Sequence, residues 1–257
     1  MIVNGKLVNL KPEQRLIVGF DFKPDPSKGQ GREWVREQVL TLSDEIAGIG
    51  CVAKVNSALR SYGYDLIDVL HSRGLEVMAD LKLYDIGDTL STDGVILREM
   101  KPEIVTVACT AGKTAMRALK LELPDTEVLG ISVLTSLNEE DTKAMFVCGI
   151  DEAVLRLSHM AAKLDDTGFK LDGLVSSGKE VAKVRAEFGT LMTLNTPAIR
   201  PAWAEVKGDG QNQKRVMTPF EAIKAGADRI VVARPIIQAA NRYDAVMRTI
   251  EEIALAA

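Results

Sequence analysis

The sequence predicts a single (β/α)8 barrel, and three features lead there. Eight short runs rich in β-branched and apolar residues recur along the chain, each is followed by a longer amphipathic stretch, and no linker, low-complexity tract or charge block divides the 257 residues. Such alternation calls for βα units around a parallel sheet. Length alone also suits two small domains. The count decides: eight consecutive βα units are what a closed barrel requires, whereas an open doubly wound sheet generally uses fewer strands.

In chain order the runs are LIVGFD (16–21), CVAKV (51–55), EVMADLK (76–82), EIVTVA (103–108), EVLGISVL (127–134), DGLVSS (172–177), TLMTLN (190–195) and RIVVA (229–233). Between them lie segments such as REWVREQVLTLSDEIAGIG and DEAVLRLSHMAAKLDD, whose apolar residues fall three and four apart, the spacing of a helix with one buried face. PDPSKGQGRE lengthens the first βα connection, and no function is assigned to it. The connection 196–217 is long and rich in Gly, Pro and polar residues, which is expected of a lid that closes over a ligand. Trp203 within it is either an apolar contact of the closed state or a packed loop residue.

Composition narrows the function classes. With 46% hydrophobic and 26% charged residues the chain has the balance of a soluble globular protein, and a net charge of −4 leaves no electrostatic footprint for nucleic acid or an anionic membrane. No apolar run is long enough for a signal peptide or a membrane span, so a cytoplasmic protein is expected. Cys51, Cys109 and Cys148 are odd in number and form no CxxC pair, which argues against a disulfide framework or zinc knuckle and for free thiols in a reducing compartment. His71 and His159 lie in separate helical patterns, so a histidine triad or multi-histidine metal site is not expected.

In a barrel the chemistry sits at the C-terminal ends of the strands. Here those ends carry charge: Asp21 on the first run, Lys54 on the second, Asp80 and Lys82 on the third, with Asp85 just beyond. Adjacent strands lie about 4.8 Å apart, so these groups share one patch. Asp80 and Lys82 are two apart, which in a regular strand turns both toward the barrel interior and leaves Leu81 and Leu83 facing the helices. Buried charges persist when paired; at about 4 Å and an effective dielectric near ~20, each opposite pair gains on the order of 4 kcal/mol before desolvation. Alternating acids and bases keep Lys82 an ammonium, a poor Schiff-base nucleophile but a good proton donor to a carbanion. An aspartate aimed at the same spot repels a substrate carboxylate, and the repulsion vanishes as carbon dioxide leaves.

The stretch DLKLYDIGDT resembles the Asp-x-Lys-x-x-Asp-Ile motif of the orotidine 5'-phosphate decarboxylase family. LIVGFDF, CVAKVN, ISVLTS, TPAIRP and GDGQNQKRVMTPFEAIKAGADRIVVARPI resemble further pieces in the expected order along nearly the whole chain. Asp-x-Lys-x-x-Asp alone is weak, because sugar-phosphate decarboxylases of the same superfamily carry it; joined to TPAIRP and QKRVMTP it becomes specific. The resemblance implies a cofactor-independent enzyme with no metal that decarboxylates orotidine 5'-monophosphate. In it Lys82 is the proton donor to C6, Asp80 stresses the substrate carboxylate, and Lys54 and Asp85 complete the network. It further implies that Asp21 and Lys54 touch the ribose hydroxyls, and that Asp85 and Thr89 reach in from the other subunit of a homodimer. Gln213 and Arg234 match the phosphate-binding pair. Thr135 and Ser136 lie where the family holds the pyrimidine edge, with Thr135, Ser136 or Asn138 making the contact.

Bottom-up, Arg234 follows the eighth run directly, where barrels place phosphate groups, and an arginine fork suits phosphate oxygens. The chain departs from the family at Ala198 and Ala233, where glycine is commoner, and at VACTAGK, which replaces a His-containing sequence. A methyl at Ala233 is expected to crowd backbone amides that approach phosphate. Two rival readings are a metal-dependent keto-sugar-phosphate decarboxylase on the same barrel and a catalytically silent nucleotide-binding protein.

Overall fold

The computed structural model describes residues 2–3, 6–7, 10–204 and 217–256, the first two pairs by their backbone alone. All eight predicted runs are strands: β1 (Leu16–Gly19), β2 (Val52–Val55), β3 (Glu76–Leu83), β4 (Ile104–Ala108), β5 (Glu127–Ile131), β6 (Gly173–Val175), β7 (Thr193–Thr196) and β8 (Arg229–Val232). They pair in parallel in chain order, and β8 returns to β1 to close the barrel. The run at 190–195 begins three residues too early, because Leu191 N–H bonds to Phe188 O in the turn that ends the preceding helix. A short antiparallel hairpin, Ile2–Val3 with Lys6–Leu7, precedes the barrel and was not expected.

The helices are α1 (Arg32–Glu45) after β1, α2 (Ser57–Tyr62) and α3 (Asp65–His71) after β2, α4 (Gly87–Met100) after β3 and α5 (Lys113–Glu122) after β4. Then come α6 (Glu139–Phe146) and α7 (Ile150–Ala162), α8 (Val181–Phe188), α9 (Pro219–Lys224), α10 (Arg234–Ile237) and α11 (Arg242–Ala254). The long first connection is a capped turn: Asp25 accepts bonds from Ser27 N–H and Oγ, and Gly29 takes the left-handed conformation at φ 68°. Among the described residues no helix is long and apolar enough to cross a membrane.

Strand alternation divides the core in two. Leu16, Val18, Ala53, Val55, Val77, Ala79, Val105 and Val107 face outward beneath the helices, while Ile17, Val52, Met78, Ile104, Leu129 and Val231 meet inside the barrel. Each buried Val, Leu, Ile or Met among them contributes about 1.5–3 kcal/mol, and each alanine methyl less. Below this apolar layer, at the strands' N-terminal ends, Arg229 Nη1 pairs with Glu127 Oε2 at 2.8 Å and Thr193 Oγ1 donates to Glu127 Oε1 at 2.5 Å. Two residues past the apolar layer, in the opposite direction, the interior positions are Gly19, Lys54, Asp80 and Thr106. The period of two thus sets one polar layer on each side of the apolar one.

Candidate active site

The layer toward the C-terminal ends holds a line of charges alternating in sign. Lys54 Nζ lies 2.9 and 3.0 Å from the two oxygens of Asp21 and 3.4 Å from Asp80 Oδ2, and Lys82 Nζ lies 2.6 Å from the same Asp80 oxygen. The inner members are buried, with the Asp80 and Lys54 side chains 7% and 9% exposed, while Lys82 and Asp21 at the two ends open to solvent at 33% and 44%. Burial pushes the Asp80 carboxyl up, but the Lys54 and Lys82 ammoniums and the hydrogen bonds from Lys82 and Thr106 outweigh it and hold the group below the ordinary carboxylate range. A half-open ammonium can deliver a proton to a ligand above it, and the fixed buried carboxylate beside it opposes a second carboxylate placed at the same spot.

Lys82 reaches this place by a route that strand alternation does not describe. Ala79 pairs with Val105 but Leu83 with Val107, so four residues of β3 advance against two of β4. Inside this bulge Lys82 takes the left-handed conformation at φ 50°. For a residue with a Cβ that conformation costs roughly 1–2 kcal/mol. The pair meets as expected, yet the regular strand that was to bring it together is absent. Leu81 is buried in the outer core and Leu83 half-buried against it.

Thr106 and Gly19 were missed in the sequence. Thr106 Oγ1 donates to Asp80 Oδ1 at 3.0 Å and accepts from Lys82 N–H at 2.9 Å, and the residue is fully buried. A Cβ at Gly19 would meet the Ala233 methyl at 2.7 Å, Asp21 Oδ2 at 3.1 Å and Lys54 Cε at 3.3 Å, so the charged line requires glycine there. The available signals were a hydroxyl inside an otherwise apolar run, and a glycine two residues before a strand-end acid.

Asp85 does not join the line. It is exposed beyond β3, where its Oδ1 accepts from Ile86 N–H at 2.7 Å, and Thr89 is exposed in the first turn of α4. Thr135 and Ser136 are exposed on the loop after β5. Asn138 caps α6, its Oδ1 accepting from Asp141 N–H at 2.9 Å. Arg234 is exposed at the first position of α10. Gln213 and residues 205–216 of the connection 196–217, where a lid is expected, lie outside the described residues; at the foot of that connection Arg200 N–H bonds to Met217 O at 3.0 Å. Trp203 is half-buried against the core, with the Arg248 guanidinium 5.0 Å from its ring centroid. Ala198, where the family more often has glycine, sits at φ 61°, the conformation glycine adopts freely.

Among the described residues no group of three or more His, Cys, Asp and Glu side chains is arranged to hold a metal ion. The three cysteines are free and buried, and burial pushes the Cys51 and Cys109 thiols up to about 12.

Comparison with known proteins places this geometry in a lineage. The chain is 35% identical to an orotidine 5'-phosphate decarboxylase of Aliivibrio fischeri (strain MJ11) over 236 residues, covering 89% of this chain and 92% of that protein. It is 35% identical to the enzyme of that name from Pseudomonas putida (strain GB-1) over 249 residues, 93% and 96% of the two chains. A crystal structure of orotidine 5'-phosphate decarboxylase from Lactobacillus acidophilus superposes with a TM-score of 0.73 at 24% identity, covering 93% of this chain and 99% of that one, a likeness of fold. The model of the orotidine 5'-phosphate decarboxylase / HUMPS family matches residues 14–249, and the chain belongs to that family.

Proposed function

We propose that this protein is a carboxy-lyase that converts orotidine 5'-monophosphate to uridine 5'-monophosphate without a cofactor, in pyrimidine biosynthesis. The observation that carries the reading is the line Asp21–Lys54–Asp80–Lys82, in which one buried carboxylate oxygen is shared by two ammoniums. The names borne by relatives 31–36% identical to this chain support the same substrate.

In this reading the substrate carboxylate is held against Asp80. The bond from C6 to the carboxylate carbon breaks, carbon dioxide leaves, and the electron pair stays on C6. Lys82 Nζ gives a proton to that carbon, and the resulting amine recovers one from solvent. Repulsion between the two carboxylates is present in the ground state and absent once carbon dioxide has formed, so it lowers the barrier rather than merely weakening binding. Asp21 and Lys54 hold the ribose hydroxyls, Thr135 and Ser136 the pyrimidine edge, and Arg234 with Gln213 the phosphate, under a lid formed by 196–217.

The chain acts as one barrel domain over 1–257, in the cytoplasm, as a homodimer. Asp85 and Thr89 are exposed, and Tyr84 and Ile86 beside them are 66% and 69% exposed, an apolar setting suited to a second copy. Each subunit then lends Asp85 and Thr89 to its neighbour's site.

The test is loss of orotidine 5'-monophosphate absorbance with release of carbon dioxide, with and without a chelator. Turnover indifferent to chelator supports the proposal. No turnover of orotidine 5'-monophosphate, with chelator-sensitive release of carbon dioxide from a keto-sugar phosphate, points to the metal-dependent reaction class, and binding without turnover points to a silent nucleotide-binding protein.

A further inference from the structure

The left-handed Lys82 stands in a peptide unit held at both ends by side chains from outside β3. The N–H of the Leu81–Lys82 peptide donates to Thr106 Oγ1 on β4 at 2.9 Å, and its carbonyl, that of Leu81, accepts from Arg60 Nη2 on α2 at 2.6 Å. Thr106 is fully buried, and its hydroxyl proton is committed to Asp80 Oδ1 at 3.0 Å. One hydroxyl therefore ties the Lys82 backbone to the carboxylate that its own ammonium meets at 2.6 Å. At the bulge the strand pairing that would otherwise fix this peptide is interrupted.

We propose that Thr106 and Arg60 are positioning residues that clamp the Leu81–Lys82 peptide from its two ends and aim the Lys82 ammonium beside Asp80. The effect on turnover rests on the decarboxylase reading; the clamp itself does not. With the peptide released, Lys82 can relax from φ 50° toward ordinary strand values, which swings its side chain off the line. A displacement of about 1 Å at a reacting group is enough to cost about 100-fold in rate.

The experiment uses Thr106→Val, which preserves shape and removes the hydroxyl, Thr106→Ser, which keeps the hydroxyl and loses the methyl, and Arg60→Met. Two readouts are taken: steady-state decarboxylation of orotidine 5'-monophosphate and exchange of the Lys82 amide hydrogen by NMR. Thr106→Val is expected to lower kcat about 100-fold with KM near the wild-type value. It should speed Lys82 amide exchange about tenfold, the equivalent of one hydrogen bond. Thr106→Ser should recover most of both, and Arg60→Met should show a smaller fall of the same kind. Removing the hydroxyl also withdraws one of the interactions that hold the Asp80 carboxyl low, so the acid limb of the kcat/KM profile should move to higher pH.

If Thr106→Ser is as impaired as Thr106→Val, the residue acts through its volume and the clamp is overturned. Wild-type exchange and turnover in Thr106→Val overturn it outright. A wild-type protein that leaves orotidine 5'-monophosphate unchanged sinks the decarboxylase reading instead, and the exchange rates then decide the clamp alone.

Discussion

Replacing Lys82 by alanine separates chemistry from stability, because the structure assigns the ammonium a small structural share. Its pair with Asp80 is short, 2.6 Å, but the Lys82 side chain is 33% exposed, so solvent screens the attraction. Asp80 keeps Lys54 at 3.4 Å and the Thr106 hydroxyl at 3.0 Å, so the change strands no buried charge. Loss of the pair should therefore cost about 1 kcal/mol, or about 2–4 °C in Tm for a chain of this size. Turnover should fall by about 10²–10⁴ or more, the share that a positioned general acid supplies. Lys82→Gly should be equally inactive and should melt at or above the alanine variant, because glycine occupies φ 50° without the steric penalty alanine retains. The assays are steady-state loss of substrate absorbance and thermal unfolding followed by circular dichroism. An alanine variant within tenfold of wild-type turnover would remove Lys82 as proton donor. A drop in Tm several times the expected one would show that the line is held together chiefly by Lys82.

The other predictions concern the remaining members of the site. The folded-state value of Asp80 lies below 3.8, so the stability it contributes is present above that pH and is lost as pH falls through the lower folded value; Asp80→Asn should be less stable than wild type at neutral pH, with the gap closing below 3.8 in denaturant titrations, and a gap independent of pH would contradict the assigned direction. Arg234→Ala should lower kcat/KM for orotidine 5'-monophosphate by about 10–100-fold, the worth of a charged hydrogen bond, while changing little for orotidine without the phosphate. Equal losses on both substrates would refute the phosphate role. Mixing Lys82→Ala with Asp85→Ala after demonstrated subunit exchange should return activity toward half of normal per heterodimer, because one site collects both defects and the other none. A mixture as inactive as its parents would mean that each subunit builds its site alone.

The local code of the chain was enough to find the barrel and to bring four charges to one end of it. Runs such as LIVGFD and CVAKV are short, β-branched and separated by helical patterns, and the period of two is what carries Ile17 and Val52 to the interior of the structure and their neighbours to the helices. The same rule takes Lys54 and Asp80 one layer higher, so Asp80 and its salt bridge to Lys54 were legible before any coordinates. What the period could not supply was contact across strands far apart in the chain. Thr106 reads as one more β-former in EIVTVA; only the register of β3 against β4, with its bulge between Ala79 and Leu83, sets the hydroxyl between the Asp80 carboxylate and the Lys82 amide. Glu127 and Arg229 begin their runs 102 residues apart and look like ordinary strand-leading charges until closure of the barrel buries them together. The left-handed turn at Lys82 had no signature either, since a lysine carries no preference for it. Periodicity is a property of neighbours along the chain, whereas register, closure and a strained backbone follow from what the rest of the fold presses against them, and that is decided only when all eight strands are in place.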